Sequence, residues 1–263
     1  MLVQPFGEKY SKYYDIIYSD KNYEKECDYL EEIFKRYTKR KVRRILDVAC
    51  GTGGHAIALA KRGYDVHASD ISRSMVEIGR RKASKSGLDE RVRFRQADMR
   101  NIQGEGGFDA CICMFAAIDY LLDYDDVLKT FSSIHSQLLD GAVLVLDFWN
   151  GLAVLTVGPT ERVKRIQIGD TLSMRWAKPV LKPLTNINST EYTTIVIERG
   201  LLKDEFRETH VVRYFFPEEI RFLLQVGGFE LISLHPFLEP EKEVTRSDWN
   251  ITAVARMREP RWR

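Results

Sequence analysis

Ile45-Leu-Asp47-Val-Ala-Cys-Gly51-Thr-Gly53-Gly54 is the stretch on which the fold turns. A short apolar run ends at closely spaced glycines, and a helical pattern follows through Arg62. Glycines at such a turn let a ligand approach the backbone, and the helix start behind them offers N–H groups without intrahelical partners. Strand, glycine turn and helix in that order open a parallel sheet that takes its ligand at the strand ends.

Outward from this stretch the rhythm repeats. Asp65-Val-His-Ala-Ser-Asp70 reads as a strand, 72–85 as a helix capped by Ser72, and Val92-Arg-Phe-Arg-Gln-Ala97 as a strand. Residues 108–114 form a buried strand, 125–139 a helix and 142–149 a fifth strand. Alternation at this spacing predicts an α/β, doubly wound, Rossmann-like sheet. Upstream, Tyr23, Cys27, Leu30, Phe34 and Tyr37 make one apolar helical stripe. The aromatic segment 10–18 before it is too irregular to assign. Residues 151–213 change to period two, in Val163-Lys-Arg-Ile-Gln-Ile168, at Leu172, Met174 and Trp176, and again at 194–197 and 210–215. Gly169-Asp170 and Gly200 supply turns, so an antiparallel insert follows the fifth strand. A helix over 217–227 and two strands, 229–234 and 249–257, complete a seven-stranded sheet. The expected organisation is an N-terminal helical lid and core over 1–150, an insert over 151–213 covering the acceptor, and the rest of the core over 214–263.

Composition narrows the chemistry. In 263 residues, 40 Lys and Arg against 38 Asp and Glu leave a net charge of +2, which supplies no broad attraction to nucleic acid or anionic membrane. The apolar run Gly141-Ala-Val-Leu-Val-Leu146 is far short of the ~20 residues a membrane span needs. The start, Met1 to Lys9, lacks the charged-then-apolar shape of a signal peptide. Cys27, Cys50, Cys111 and Cys113 contain no Cys-x-x-Cys pair and read as reduced thiols of a cytoplasmic protein, not metal ligands. Arg256, Arg258, Arg261 and Arg263 read as a solvated tail.

Two cofactor classes use a glycine turn of this kind. Gly51, Gly53 and Ala56 meet the Gly-x-Gly-x-x-Ala spacing of a dinucleotide site. Asp47, four residues before Gly51, argues against it, because a carboxylate there repels a pyrophosphate and suits a cationic sulfonium with an ammonium group. Asp70 ends the second strand and can accept ribose hydroxyls; Asp98 follows the third and can accept from an adenine amino group. Met75 and Met99 stand beside them. Three acids at successive strand ends describe a phosphate-free adenosyl pocket and favour S-adenosylmethionine.

Leu46-Asp47-Val-Ala-Cys-Gly51-Thr-Gly53, Ser69-Asp70-Ile-Ser-Arg-Ser-Met75 and Ala97-Asp98-Met99 resemble, in order and spacing, the motifs of class I S-adenosylmethionine-dependent methyltransferases. Within them Cys113-Met114-Phe115-Ala-Ala-Ile118-Asp119-Tyr120-Leu121, the inserted strands and Tyr14-Asp15 resemble the sugar N,N-dimethyltransferases of the antibiotic deoxysugar type. The resemblance implies that Gly51 and Gly53 pass under the methionine moiety with Ala49 near its ammonium. It also implies that Asp70 holds the ribose, Ile71 and Met75 pack on adenine, and Asp98 and Met99 bracket the ring. Met114 then lies near the sulfonium and Tyr14 closes the pocket. Such sugar N-methyltransferases can carry a His where Tyr120 stands here, so no imidazole base is available at that position.

Asp119 and Tyr120 are the catalytic candidates, with Tyr120 favoured as a positioning group because a phenol of reference pKa near ~10 is a poor base. Trp149 and Asn150 are further acceptor contacts, and His210 reads as packed or solvated. Between Arg162 and Arg213 ten Lys and Arg face six Asp and Glu, which favours an anionic small-molecule acceptor. The expected activity is methyl transfer from S-adenosylmethionine, leaving S-adenosylhomocysteine, to a small molecule at nitrogen. The competing readings are an RNA or protein methyltransferase, a non-catalytic S-adenosylmethionine-binding protein and a nicotinamide dehydrogenase. An Asn-Pro-Pro-Tyr-like tetrapeptide of base-amino methyltransferases is absent where Cys113-Met114-Phe115-Ala116 stands.

Overall fold

The computed structural model describes residues 6–38, 40–104 and 106–258. Residues 1–5, read above for a leader, and Arg261 and Arg263 of the arginine tail lie outside the described residues.

Two helices precede the sheet, α1 (Glu8–Ile17) and α2 (Tyr23–Tyr37). Asn22 caps α2 by accepting from the Lys25 N–H at 3.0 Å, and Glu24 and Glu26 in the first turn oppose Lys35 and Arg36 in the last, as the helix dipole favours. The segment left unassigned in the sequence is α1. Its stripe is Tyr10, Tyr13, Tyr14 and Ile17, all buried.

The alternation then resolves into β1 (Arg44–Val48), α3 (Gly54–Lys61), β2 (Asp65–Asp70), α4 (Arg73–Lys85), β3 (Val92–Gln96), β4 (Phe108–Cys113), α5 (Tyr124–His135) and β5 (Leu138–Trp149). α5 is shorter than expected because Leu138 already pairs with Phe108 as β5 begins. After it come α6 (Gly151–Val157), β6 (Arg162–Ile168), β7 (Thr171–Lys182), β8 (Ile187–Glu198), β9 (Leu201–Arg213), α7 (Pro217–Val226), β10 (Phe229–Pro236) and β11 (Asn250–Met257).

The main sheet has the order β10-β11-β5-β4-β1-β2-β3. Strands β1 to β5 run parallel, and β11 runs antiparallel to both neighbours. Alternation along the strands feeds two cores. Leu46, Val48, Cys111, Cys113 and Leu146 pack with α5 and α7 on one face. Ile45, Ala110, Ile112 and Val145 pack with α2, α3 and α4 on the other. Each fully buried Leu or Ile contributes roughly 1.5–3 kcal/mol, so the sheet is a rigid base for whatever its ends carry.

The insert is a separate antiparallel sheet, β6-β7-β8-β9. Gly169 (φ 54°) and Gly200 (φ 78°) turn two of its hairpins in the left-handed region that glycine enters without strain. α1 lies between this sheet and the core. Tyr13 stacks on Phe206 of β9, with ring centroids 6.0 Å apart. The Tyr13 hydroxyl donates to Asp204 at 2.5 Å, and Lys9 and Lys12 each approach the same carboxylate to 3.2 Å.

Candidate active site

The carboxyl ends of β4, β1, β2 and β3 lie side by side, and the predicted cofactor residues gather there. Asp47 is 1 % exposed and one of its oxygens has no hydrogen-bond partner. Burial, helped by the nearby Asp70 charge, pushes its carboxyl up to about 8. Ala49 (φ 57°), Gly51 (φ 56°) and Gly53 (φ 79°) take left-handed backbone in the turn that follows. At Gly53 a Cβ would stand 2.4 Å from Phe94 Cζ, so a side chain there collides with a buried ring.

The Gly51 N–H donates to Asp70 Oδ2 and the Ser72 N–H to its Oδ1, both at 2.8 Å. Burial raises the Asp70 carboxyl while these two donors oppose the rise. A carboxylate has about four lone-pair sites, so Asp70 keeps capacity for two further hydroxyl donors. Asp98 is held by Arg100, Nε to Oδ1 at 3.0 Å and Nη2 to Oδ2 at 2.5 Å, which keeps its carboxyl below the ordinary range. Ile71 is 58 % exposed beside Asp70. Met75 is buried beneath α1 with Tyr10, Tyr13 and Tyr14. Met99 half-buries against the α5 face, and Met114 is buried with Ile112 on the other.

Tyr14 covers the glycine turn: a Cβ on Gly51 would lie 3.7 Å from its hydroxyl. α1 is pinned there by Asp15, which accepts from Thr52 at 2.6 Å and Lys82 at 2.9 Å, and by a Ser11–Ser74 hydroxyl pair at 2.8 Å. From Tyr14 an aromatic path leads to the insert. The Tyr14 and Tyr18 rings are 4.9 Å apart, Tyr18 accepts from Arg175 Nη1 at 2.6 Å, and the Arg175 guanidinium stands 3.5 Å from the Tyr192 ring centroid.

Phe115 (φ 69°) and Ala116 (φ 53°) are consecutive left-handed residues after β4, a conformation costing about 1–3 kcal/mol at each non-glycine position. The loop is held there by two buried acids. Asp147 Oδ2 accepts from the Ala116 N–H at 3.0 Å, and Asp119 Oδ2 accepts from the Trp149 N–H at 3.0 Å. Burial lifts the Asp147 carboxyl to about 6 and the Asp119 carboxyl well above the carboxylate range. Asp119, paired with Tyr120 as a catalytic candidate in the sequence, is 0 % exposed. In this structure it holds the loop to β5 through the Trp149 N–H. Asn150 is likewise engaged within the fold: it caps α6, accepting from the Leu152 N–H at 3.1 Å, and donates to Thr245 and Asp248 carbonyls. Trp149 packs edge-on to Trp249 at 5.2 Å.

Tyr120 is half-buried, and its hydroxyl pairs with His210 Nδ1 of β9 at 2.6 Å. An imidazole of the insert thus stands beside the Tyr120 hydroxyl. Sequence reading missed Asp147, though a lone acid in the apolar run 142–149 marks it, and missed Arg175, for which spacing offers no signal.

The orphan oxygen of Asp47, the glycine cradle and the spare acceptors of Asp70 fit an adenosyl sulfonium bearing an ammonium, and none of these acids suits a pyrophosphate. Among the described residues there is no cluster of three or more metal-capable side chains, and no helix is long and apolar enough to cross a membrane. A separate hollow of about 650 Å³ along α5, lined by Arg100, Leu128, Lys129 and Gln137 among others, contains none of Asp47, Asp70 or Tyr120.

Comparison with known proteins gives the same picture. Residues 45–141 match the family described as Methyltransferase domain. The chain is 31% identical over 189 residues to the putative methyltransferase YqeM of Bacillus subtilis (strain 168), covering 72% of this chain and 74% of that protein. It is 33% identical over 141 residues to a glycine/sarcosine N-methyltransferase of Parasynechococcus marenigrum (strain WH8102), 53% of this chain and 48% of the relative. It is 30% identical over 149 residues to the dTDP-3-amino-3,6-dideoxy-alpha-D-glucopyranose N,N-dimethyltransferase of Streptomyces fradiae, 55% of each. The chain therefore spans about half the length of these last two. A solved S-adenosylmethionine-dependent methyltransferase from Clostridium acetobutylicum ATCC 824 superposes with a TM-score of 0.80 at 22% identity, covering 93% of this chain and 96% of that one, and so shares the fold. The chain belongs to the class I S-adenosylmethionine-dependent methyltransferases.

Proposed function

We propose that this enzyme methylates a nitrogen of a small amine that also carries an anionic group. The observation that carries the reading is Arg175. It is 7 % exposed, its Nε has no partner, and among the described residues no carboxylate forms a salt bridge with it. A buried guanidinium costs several kcal/mol unless paired. The faces of Tyr10, Tyr18 and Tyr192 offset part of that cost. The fork of a guanidinium matches a carboxylate or phosphate. Two relatives are named for acceptors that join an amine to an anion, glycine or sarcosine in one and a dTDP-linked amino sugar in the other.

In this reading residues 1–150 and 214–263 hold the cofactor and residues 151–213 cover the acceptor. Asp47 and Ala49 face the ammonium, Gly51 and Gly53 the methionine chain, and Asp70 the ribose. Ile71, Met75, Asp98 and Met99 surround adenine, Met114 backs the sulfonium, and Tyr14 closes the pocket. The bound donor supplies an activated methyl group. The chain's part is to align the acceptor lone pair with the methyl–sulfur axis and to exclude water, for which the pinned α1 is suited. A cytoplasmic location belongs to the same proposal, supported by four cysteines that are all free thiols.

The test is product analysis by mass spectrometry with glycine, sarcosine, a dTDP-amino sugar and ethanolamine. An anionic amine is expected to gain N-methyl groups while ethanolamine does not. Arg175→Met should raise KM for that amine at least ~30-fold, the equivalent of about 2 kcal/mol for a buried charge pair, with S-adenosylhomocysteine affinity unchanged. Equal turnover of ethanolamine, or an unchanged KM in the variant, overturns the anionic reading.

A further inference from the structure

The geometry points to a three-residue proton relay, Tyr120–His210–Glu208, that takes up the proton an acceptor ammonium must lose before it can be methylated. The inference rests on the nitrogen-acceptor reading above. An ammonium has no lone pair, and tyrosine alone is a poor base. The relay supplies the missing base from a strand ninety residues away from the tyrosine it serves.

Three observations carry it. First, the Tyr120 hydroxyl and His210 Nδ1 are 2.6 Å apart, and neutral imidazole accepts at one nitrogen only. With the Glu208 carboxylate on the Nε2 side, the relay takes Nε2 as the N–H and Nδ1 as the bare nitrogen that accepts from the hydroxyl. Second, His210 Nε2 and Glu208 Oε2 are 3.6 Å apart, an ion-pair separation just beyond a hydrogen bond, and both atoms are buried with no hydrogen-bond partner. Third, the other oxygen of Glu208 accepts from the Gly7 N–H at 3.1 Å, which fixes the carboxylate in place.

Apart from Glu208, the groups facing His210 favour a neutral ring. Tyr192 of β8 and Tyr10 of α1 pack at 5.1 and 5.4 Å, Phe6 covers it at 5.3 Å, and Arg175 of β7 adds a positive charge. Burial, followed by Arg175, holds the imidazole below its ordinary value while Glu208 opposes them. At neutral pH it is unprotonated and ready to accept.

The ammonium N–H bond breaks toward Tyr120 Oη as the tyrosine proton passes to His210 Nδ1, and the imidazolium so formed is stabilised by Glu208. The freed nitrogen lone pair forms the C–N bond as the C–S bond gives its pair to sulfur. The proton later leaves His210 to water.

The first test needs no acceptor. In the protein bound to S-adenosylhomocysteine, ¹⁵N NMR of His210 should show a bare Nδ1 and a protonated Nε2 at pH 7. Tyr120→Phe should raise the imidazole pKa, because the donor favouring the neutral ring is gone, and Glu208→Gln should lower it. The opposite tautomer, or no response to either variant, overturns the wiring. The second test follows kcat against pH with the amine whose N-methyl product is identified. The acid limb should lie below pH 6.5 in the wild type and move up by more than one unit in His210→Gln and Tyr120→Phe. kcat at pH 7 should fall about a hundredfold, with S-adenosylhomocysteine affinity within twofold. A lower kcat with an unmoved limb would mean packing alone and overturns the relay, leaving nitrogen methylation intact. Products methylated only at oxygen or carbon overturn the nitrogen reading itself and the relay with it.

Discussion

Asp47 turns cofactor binding into a titration. With its carboxyl pushed up to about 8, only roughly one molecule in ten is ionised at pH 7, and ionising the rest costs about 1.4 kcal/mol. A ligand ammonium set against the orphan oxygen pulls that proton off. S-adenosylhomocysteine binding at pH 7 should therefore release about 0.8 proton, after allowing for the ligand amine with a pKa near 7.7–8.0. Affinity should rise roughly 20-fold between pH 6 and 8 and fall again as the amine loses its charge. Calorimetry at pH 7 in two buffers of different ionisation enthalpy reads the proton count directly. In Asp47→Asn the release should vanish and the slope between pH 6 and 8 flatten. The sign for stability is the reverse. A carboxyl raised above its unfolded value contributes most below about pH 4, and the cofactor-free protein loses that contribution as pH rises through about 8. Binding without proton release in the wild type, or an equal release in the variant, would falsify the placement of Asp47 opposite a cation.

Gly53→Ala should destabilise the fold by about 2–4 kcal/mol, from left-handed backbone plus the clash with Phe94, whereas Gly87→Ala, with similar φ and nothing within 4 Å, should cost only about 1–2 kcal/mol. Urea unfolding of both, with Gly53→Ala repeated in a Phe94→Ala background, separates collision from backbone strain; equal losses at the two glycines would count against the collision. Asp204 ties α1 to the insert, and Tyr13, Lys12 and Lys9 hold its carboxyl down to about 2. Its hold is complete above pH 4 and is lost as pH falls through about 2, so hydrogen exchange of α1 should quicken in that window, and at neutral pH in Asp204→Asn. Slow exchange in the variant would show that the helix is held by packing alone.

The sheet was legible because its strands are apolar runs with glycine or acid punctuation, and α2 because its stripe is clean. α1 carries an equally regular stripe, but three of its four positions are tyrosines, whose hydroxyls blur the apolar pattern. Much of β8 went unread since Asn188, Thr190 and Thr194 supply its buried face, so polarity does not alternate. α6 is a seven-residue apolar helix whose length resembles a strand. The acids Asp47 and Asp70 were readable from their place at strand ends. Arg175 and His210 were not: the register that brings β7 and β9 over Tyr14 and Tyr120 is set by hairpins and by α1, far from either residue in sequence.

Gly7 sits at the head of α1, and its peptide N–H is what fixes Glu208 behind the imidazole. In the proposed relay, seating the N-terminal helix does more than shut out water. An enzyme whose base is completed by its own door cannot be armed while that door stands ajar. Under that proposal, solvent arriving early would find a methyl donor but no oriented carboxylate to help it react.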